Sequence, residues 1–353
     1  MRRTLILIAI LCSAMTAGAR TAAFSDSVSR ATITSILELT FLIEFDAALA
    51  SVDSLEMQLG EHPAVPLLRA GVLYCRMLDY EDDLEMAEFE KNYETALALA
   101  EKLEEQGEVA EAKLYKGILL GFDAIFKQRS GKWWPAVKTG LKATGHLKDC
   151  LEADSSYADA LLGIATYKYW SSKATDFINW LPLIPDQKAE GIMLMRRAVE
   201  EGLFSREISR STLAWTLIDN GQLSEAVKLS QEGLKNYPNS NFFLWTLASA
   251  YYKMGRLESA AYVYQKLFHR VHDRPRNNYY NELGICRKMG YIYLALNQPE
   301  EALKWVETGL SRELNDTVKE RRKKTLKTLQ ELKIKAEKKI AEKSIPSGSN
   351  EEQ

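Results

Sequence analysis

Three segments in the second half of the chain share the same spacing of turn and small residues. Each has a turn residue followed five positions later by alanine, namely Gly221 with Ala226, Gly255 with Ala260, and Asn297 with Ala302. The first two units are 34 residues apart, and the third follows after an insertion of eight residues. A repeat of this length constrains the fold strongly, because each unit must bury its apolar surface against its neighbours.

The segment before each turn carries apolar and small residues at helical spacing. An apolar residue, a small residue and a larger side chain recur as Leu213, Ala214 and Leu217, as Leu247, Ala248 and Tyr251, and as Met289, Gly290 and Tyr293. This pattern resembles the tetratricopeptide repeat, a helix–turn–helix of 34 residues. The resemblance implies an all-α fold, a right-handed α-solenoid of antiparallel helix pairs. It places the clearer repeats at 207–239, 241–274 and 283–316.

The rest of the chain continues the same organisation in weaker form. Residues 30–205 read as degenerate repeats with Gly117 and Gly163 as small residues, so that a solenoid of about seven pairs covers 20–316. Residues 317–343 predict one Lys-rich helix with a thin apolar stripe, as expected for a helix that caps a solenoid. Residues 344–353 have the composition of a disordered tail. No segment alternates with a period of two, so we expect no sheet.

The first 19 residues have the pattern of a secretory signal peptide. A short basic start is followed by the apolar run 5–15, and Ala17 and Ala19 stand at −3 and −1 of a cut before Arg20. The alternative is an N-terminal anchor that stays uncut. We expect an exported, periplasmic protein, and no second apolar run of membrane length follows in the mature chain.

The charge and cysteine content exclude two classes of protein. The formal net charge is −2, which argues against a chain that binds nucleic acid, and three widely spaced Cys after residue 19 predict buried thiols rather than a disulfide framework. The charges are uneven along the chain. Residues 79–111 hold 13 acidic and two basic residues, whereas 312–343 hold 12 basic and six acidic. These runs are either electrostatic docking surfaces or two solvated helix faces.

The resemblance also implies a binding groove, because the first helix of each repeat in this family lines a concave surface. The family's groove positions correspond here to Trp215, Trp245, Tyr252, Lys288 and Tyr291. Aromatic side chains there suit an extended or helical peptide, although they could equally pack between helices. Some family members bind a C-terminal carboxylate with Lys, Arg and Asn. Only Lys288 fits that pattern, so a carboxylate clamp is not expected.

A second candidate surface is the insertion at 171–187. Its apolar residues include Phe177, Trp180, Leu181, Leu183 and Ile184, and two prolines prevent a continuous helix. The insertion could close over the groove, contact a partner or the membrane periphery, or pack back onto the solenoid.

Catalytic, cofactor and metal motifs are not found in the sequence. It has no Gly-rich phosphate loop, nucleophile elbow or Cys–His motif, and His269 with His272 lacks further ligands for a metal. The leading hypothesis is an exported non-enzymatic scaffold for a protein or peptide partner in the cell envelope. The alternative is a small-molecule-binding or transporter-accessory protein with a pocket lined by 171–187. The sequence specifies neither a named partner nor an oligomeric state.

Overall fold

The computed structural model describes residues 26–175 and 186–344, and these ranges contain 15 α-helices and no β-strand. The helices are α1 Ser27–Phe41, α2 Phe45–Leu59, α3 Ala64–Tyr80, α4 Met86–Glu105, α5 Val109–Arg129, α6 Trp133–Ala153, α7 Ala160–Ala174, α8 Lys188–Glu201, α9 Arg206–Asp219, α10 Leu223–Asn236, α11 Asn241–Lys253, α12 Leu257–His272, α13 Tyr280–Ala295, α14 Pro299–Leu310 and α15 Asp316–Ser344. The signal-peptide prediction for 1–19 and residues 345–353 of the tail lie outside the described residues.

The helices form two compact units. Unit 1 comprises Met1–Cys75 and Glu85–Leu213, and unit 2 comprises Arg76–Leu84 and Ala214–Gln353. Within each unit, helices that follow one another in sequence contact one another, as α4 to α8 do in unit 1 and α10 to α14 do in unit 2. Short links between neighbouring helices of similar length make the pairs antiparallel. The all-α, helix-pair solenoid predicted from the sequence is therefore confirmed.

The turn between the two helices of each clear repeat has a left-handed residue. The backbone angle φ is +80° at Gly221, +73° at Gly255 and +55° at Asn297. In each turn the following N–H donates back to a carbonyl of the first helix, namely Gln222 N to Leu217 O at 2.9 Å, Arg256 N to Tyr251 O at 3.0 Å, and Gln298 N to Tyr293 O at 2.8 Å. These bonds satisfy carbonyls that the helix end would leave unpaired. The turn residues recognised in the sequence thus share a geometry that favours Gly or Asn.

Small residues allow the helices of a repeat to approach closely. Ala214, Ala248 and Ala260 are fully buried. At Gly290, an added Cβ would lie 2.8 Å from a methyl carbon of Val306. In unit 1, Leu147 of α6 occupies the space beside both Gly117 of α5 and Gly163 of α7. The small residues of the repeat pattern therefore mark the positions where three consecutive helices interlock.

Helix α15 spans the predicted capping helix and packs against the last helix pair of unit 2. It contacts α13 and α14 through a buried stripe that includes Val318, Leu329, Leu332 and Ala336. Its remaining faces carry most of its lysines and stay exposed. The buried stripe covers the apolar surface of the last helix pair, while the charged faces meet solvent.

Candidate functional site

The five groove candidates all lie in unit 2, on the first helices of three consecutive pairs. Trp215 belongs to α9, Trp245 and Tyr252 to α11, and Lys288 and Tyr291 to α13. Helix α12 contacts both α11 and α13, so the four candidates on α11 and α13 lie in one part of the unit.

Tyr252 and Lys288 form a cation–π pair across two repeats. The Lys288 Nζ atom lies 4.0 Å from the centre of the Tyr252 ring. Both side chains are half-buried. Burial lowers the pKa of Lys288, and the charges of Arg287 and Lys253 lower it further. The ammonium group is thus partly desolvated and held against an aromatic face, where such a contact is worth most.

Tyr252 and Tyr291 line one surface depression of about 520 Å³. The other lining residues are Lys253, Leu257, Leu294, Ala295 and Lys335. The Lys253 ammonium group donates to the carbonyl oxygen of Ile218 at 3.1 Å, whereas Lys335 reaches the depression from the capping helix and is exposed. The depression therefore combines aromatic and aliphatic surface with positive charge, and none of its lining residues is acidic.

The two tryptophan candidates lie apart from this depression. The Trp245 ring meets the edge of Tyr264 at a centroid distance of 6.2 Å and is half-buried within its own repeat. Trp215 is 39% exposed on α9 and does not line the depression. The structure thus brings together Tyr252, Lys288 and Tyr291 and leaves Trp215 and Trp245 outside that group.

The second candidate surface falls largely outside the described residues. Phe177, Trp180, Leu181 and Ile184 are not among the residues that the structure describes. The described ends of the insertion meet each other, because the Gln187 N–H donates to Ser172 Oγ at 2.9 Å. The proposed pocket lined by 171–187 therefore stays a prediction.

One buried polar cluster of unit 2 was not predicted from the sequence. It surrounds the acidic segment 79–82, which follows from the end of α3. Arg274 binds the Asp79 carboxylate at 2.7 Å and donates to the Asp79 carbonyl at 2.6 Å. Asn241 and Asn281 donate to the same residue at 3.0 and 2.8 Å. Burial raises the pKa of Asp79, and the contacts with Arg274 and Asn241 oppose that rise.

The same cluster continues along the segment. Tyr80 lies beneath two guanidinium groups, those of Arg274 at 4.8 Å and Arg276 at 5.0 Å from the ring centre. Arg321 of the capping helix pairs with the Glu81 carboxylate at 2.5 Å and donates to its carbonyl at 3.0 Å. The start of the acidic run and part of the basic run therefore meet inside unit 2. The sequence showed the two runs, but not that residues 240 positions apart would pair.

Two of the thiols in the described residues, those of Cys150 and Cys286, are poor nucleophiles. Within the described ranges, Cys75, Cys150 and Cys286 form no disulfide. Burial raises the pKa of Cys150 and of Cys286 to about 12, so neither forms a thiolate near neutral pH. Across residues 26–175 and 186–344, no three His, Cys, Asp or Glu side chains converge as metal ligands. In the same ranges, no helix combines the length and apolar character needed to cross a membrane.

Comparisons with known proteins agree with this architecture. A family profile for the tetratricopeptide repeat matches residues 243–270, which lie within α11 and α12. No curated protein matches the chain. Among solved structures, a chain of the APC/C hetero-tetramer Cut9–Hcn1 has 14% identity and a TM-score of 0.52. The alignment covers 98% of this chain and 57% of that one, so this chain spans little more than half of that protein's length.

Two further structures match with lower TM-scores. A tetratricopeptide repeat protein from Parabacteroides merdae is 16% identical over 85% of this chain and 99% of its own, with a TM-score of 0.39. Human IFIT1, in a dimer with PPP-AAAA, is 16% identical over 83% of this chain and 64% of its own, with a TM-score of 0.45. At such identities the Cut9–Hcn1 likeness shows the fold alone. With the repeat profile at 243–270 and the recurring left-handed turns, it shows that the chain has the fold of tetratricopeptide repeat proteins.

Proposed function

We propose that the chain is an exported, non-enzymatic scaffold whose unit 2 binds an acidic segment of a protein partner in the cell envelope. The observation that carries the proposal is the depression shared by Tyr252 and Tyr291, with Lys288 held over the Tyr252 ring. Tyrosine offers a large rigid contact area at a low cost in conformational entropy. The tetratricopeptide fold is typically used for protein interaction rather than for catalysis.

The positive charge of the depression predicts that the bound segment of the partner is acidic. Lys253 and Lys335 line it and Lys288 adjoins it, without an acidic residue in the lining. A peptide that places Asp or Glu beside an apolar or aromatic side chain would satisfy both components of the surface. The lysines would increase the association rate, and the tyrosines would slow dissociation.

Unit 2 already holds an acidic segment of its own chain with similar chemistry. Residues 79–82 are held by guanidinium and amide groups that contact both backbone carbonyls and carboxylates. This cluster is internal and differs from the depression. It supports the proposal because it illustrates how long side chains from unit 2 can bind an acidic segment, through both its carboxylates and its backbone carbonyls.

Selection from a phage-displayed random peptide library against the full chain would test this proposal. We expect enrichment of peptides that combine Asp or Glu with an apolar or aromatic residue. In fluorescence anisotropy, Tyr252→Ala and Tyr291→Ala should each lower the affinity for such a peptide about tenfold. Lys335→Glu should weaken it as well, and this exposed residue can be reversed in charge without disturbing the core.

Tyr262→Ala is the matched control, because Tyr262 is 71% exposed on α12 and does not line the depression. The proposal fails if the selected peptides show no acidic enrichment, or if Tyr252→Ala and Tyr262→Ala bind them equally well.

Export is the second part of the proposal, and it rests on the pattern of residues 1–19. Sequencing the N-terminus of the protein isolated from its native host tests it. A mature chain that begins at Arg20 in the periplasmic fraction supports export. A chain that retains Met1 in the cytoplasmic fraction contradicts it.

A further inference from the structure

Helix α6 of unit 1 has apolar side chains on two opposite faces. Its inner face is buried and includes Ala136, Ala143, Leu147 and Cys150 beside two threonines. Its outer face exposes Trp133, Trp134, Val137 and Leu141. A solenoid helix needs only the inner face for its packing, so the outer apolar face requires a separate explanation.

The outer face forms a continuous stripe. Trp133, Val137 and Leu141 follow one another at intervals of four residues, which places them along one side of the helix over about 12 Å. Trp134 adjoins this line, and the two tryptophans are 57% and 82% exposed. Large aromatic side chains are usually well buried in soluble proteins, and two adjacent exposed ones are unusual.

The stripe is surrounded by positive charge. Between Asp123 and Asp149 the sequence contains six Lys and Arg and no acidic residue. Lys132, Lys138, Lys142 and Lys148 are exposed. No carboxylate of the described ranges forms an ion pair with any of these four lysines. These lysines extend over about 24 Å with no acidic residue between the first and the last of them in the sequence.

We propose that this outer face of α6 docks the protein on the surface of an anionic lipid bilayer, with the helix lying parallel to the surface. Tryptophan favours the boundary between headgroups and acyl chains, where its ring is apolar and its N–H remains hydrated. Lysine side chains can lie along the apolar surface and extend their ammonium groups to lipid phosphates. Apolar and basic residues on one helix surface are typical of peripheral membrane helices.

The geometry favours a lipid surface over a protein groove. The two tryptophans project at the beginning of the helix, and the lysines are distributed along its whole length. On a flat lipid surface, phosphate groups lie within reach of lysines all along the helix. This contact involves unit 1 only, so it stands independently of peptide binding by unit 2.

Sedimentation with lipid vesicles tests this inference on the full chain. We expect binding to phosphatidylcholine vesicles that contain phosphatidylglycerol and little binding to phosphatidylcholine alone. Each lysine near an anionic surface strengthens binding about fivefold, so Lys138→Glu with Lys142→Glu should weaken it more than tenfold. Trp133→Ala with Trp134→Ala should also weaken it about tenfold and should abolish a blue shift of tryptophan fluorescence on vesicle addition.

Two matched variants serve as controls. Lys323→Glu with Lys324→Glu reverses two exposed lysines of the capping helix, and Trp215→Ala removes another exposed tryptophan. Both should bind the anionic vesicles like the wild type. The inference is overturned if the wild type does not bind them, which would favour an acidic protein partner. It is also overturned if the α6 variants and the controls lose binding equally.

Discussion

Lys288 places its ammonium nitrogen 4.0 Å from the centre of the Tyr252 ring, although the two residues belong to different repeats. Because the cation covers one face of the ring, Tyr252 is held in a defined orientation next to the depression that it shares with Tyr291. A surface that is ordered before its partner arrives pays less conformational entropy on binding. This relationship is the basis of the functional proposal for unit 2.

The ion pair between Asp79 and Arg274 should be important for the stability of unit 2. Both side chains are less than a tenth exposed. Arg274→Met would leave the Asp79 carboxylate buried without its cation, so we expect a loss of about 3–5 kcal/mol in the free energy of unfolding. The double variant with Asp79→Asn should lose clearly less than the sum of the two single variants. Urea unfolding followed by circular dichroism measures all three.

Arg197→Met is the control for this ion pair. Arg197 pairs with Glu201 on the surface of α8, where both side chains are nearly half exposed. Such pairs contribute less than about 1 kcal/mol. If Arg274→Met costs no more than Arg197→Met, the buried cluster around residues 79–82 is not a structural element of unit 2.

The stability of unit 1 should fall in mild acid because of His62. Burial lowers the pKa of His62 from the usual 6.5 to about 4. Its Nδ1 accepts the Ala64 N–H at 3.2 Å, so the neutral ring carries its proton on Nε2, 3.6 Å from the Glu111 carboxylate. The native state therefore resists protonation. The stability contributed by neutral His62 is complete above pH 6.5 and is lost as the pH falls toward 4.

The effect of His62 on the free energy of unfolding is limited to about 3.5 kcal/mol, since each pKa unit corresponds to about 1.4 kcal/mol. Titration of the imidazole by NMR gives the pKa directly. In His62→Phe, the free energy of unfolding should fall less on acidification than it does in the wild type. A His62 pKa near 6.5 in the folded protein would refute this prediction.

The left-handed turn at Asn297 should make the thermal unfolding midpoint depend on whether the residue at this position tolerates a positive φ. With φ at +55°, an alanine there adopts a conformation that costs about 1 kcal/mol. We expect Asn297→Ala to lower the thermal unfolding midpoint, whereas Asn297→Gly should match or exceed the wild type, since Gly221 and Gly255 occupy the equivalent turns. Equal midpoints for the two variants would show that this turn does not require the left-handed conformation.

The repeats were predictable because their signals are local. Gly221, Gly255 and Asn297 mark turns through their own backbone preference, and the neighbouring small residues mark helix contacts. Local capping explains one difference at the other end of the chain. The sequence pattern starts the degenerate repeats at residue 30, but α1 begins at Ser27 because the Asp26 carboxylate accepts the Ser29 N–H at 2.6 Å.

The site was only partly predictable because it depends on contacts between distant residues. Tyr252, Lys288 and Tyr291 were identified from their positions in the repeat. Lys335 joins them only because the capping helix lies beside α13. Arg274 and Asp79 are 195 residues apart, and no periodicity relates them. The repeat pattern defines which face of a helix is inner, but not which side chains from other helices complete it.

Site-specific photo-crosslinking in the native host tests the central claim most directly. A photoreactive phenylalanine analogue would replace Tyr291 in the depression or, as the control, exposed Tyr262 on α12. We predict that position 291 captures one protein through an acidic segment, and that Lys335→Glu suppresses this product while position 262 gives none. Equal products from both positions, or no product from position 291, would contradict the proposal that unit 2 binds its partner at this depression.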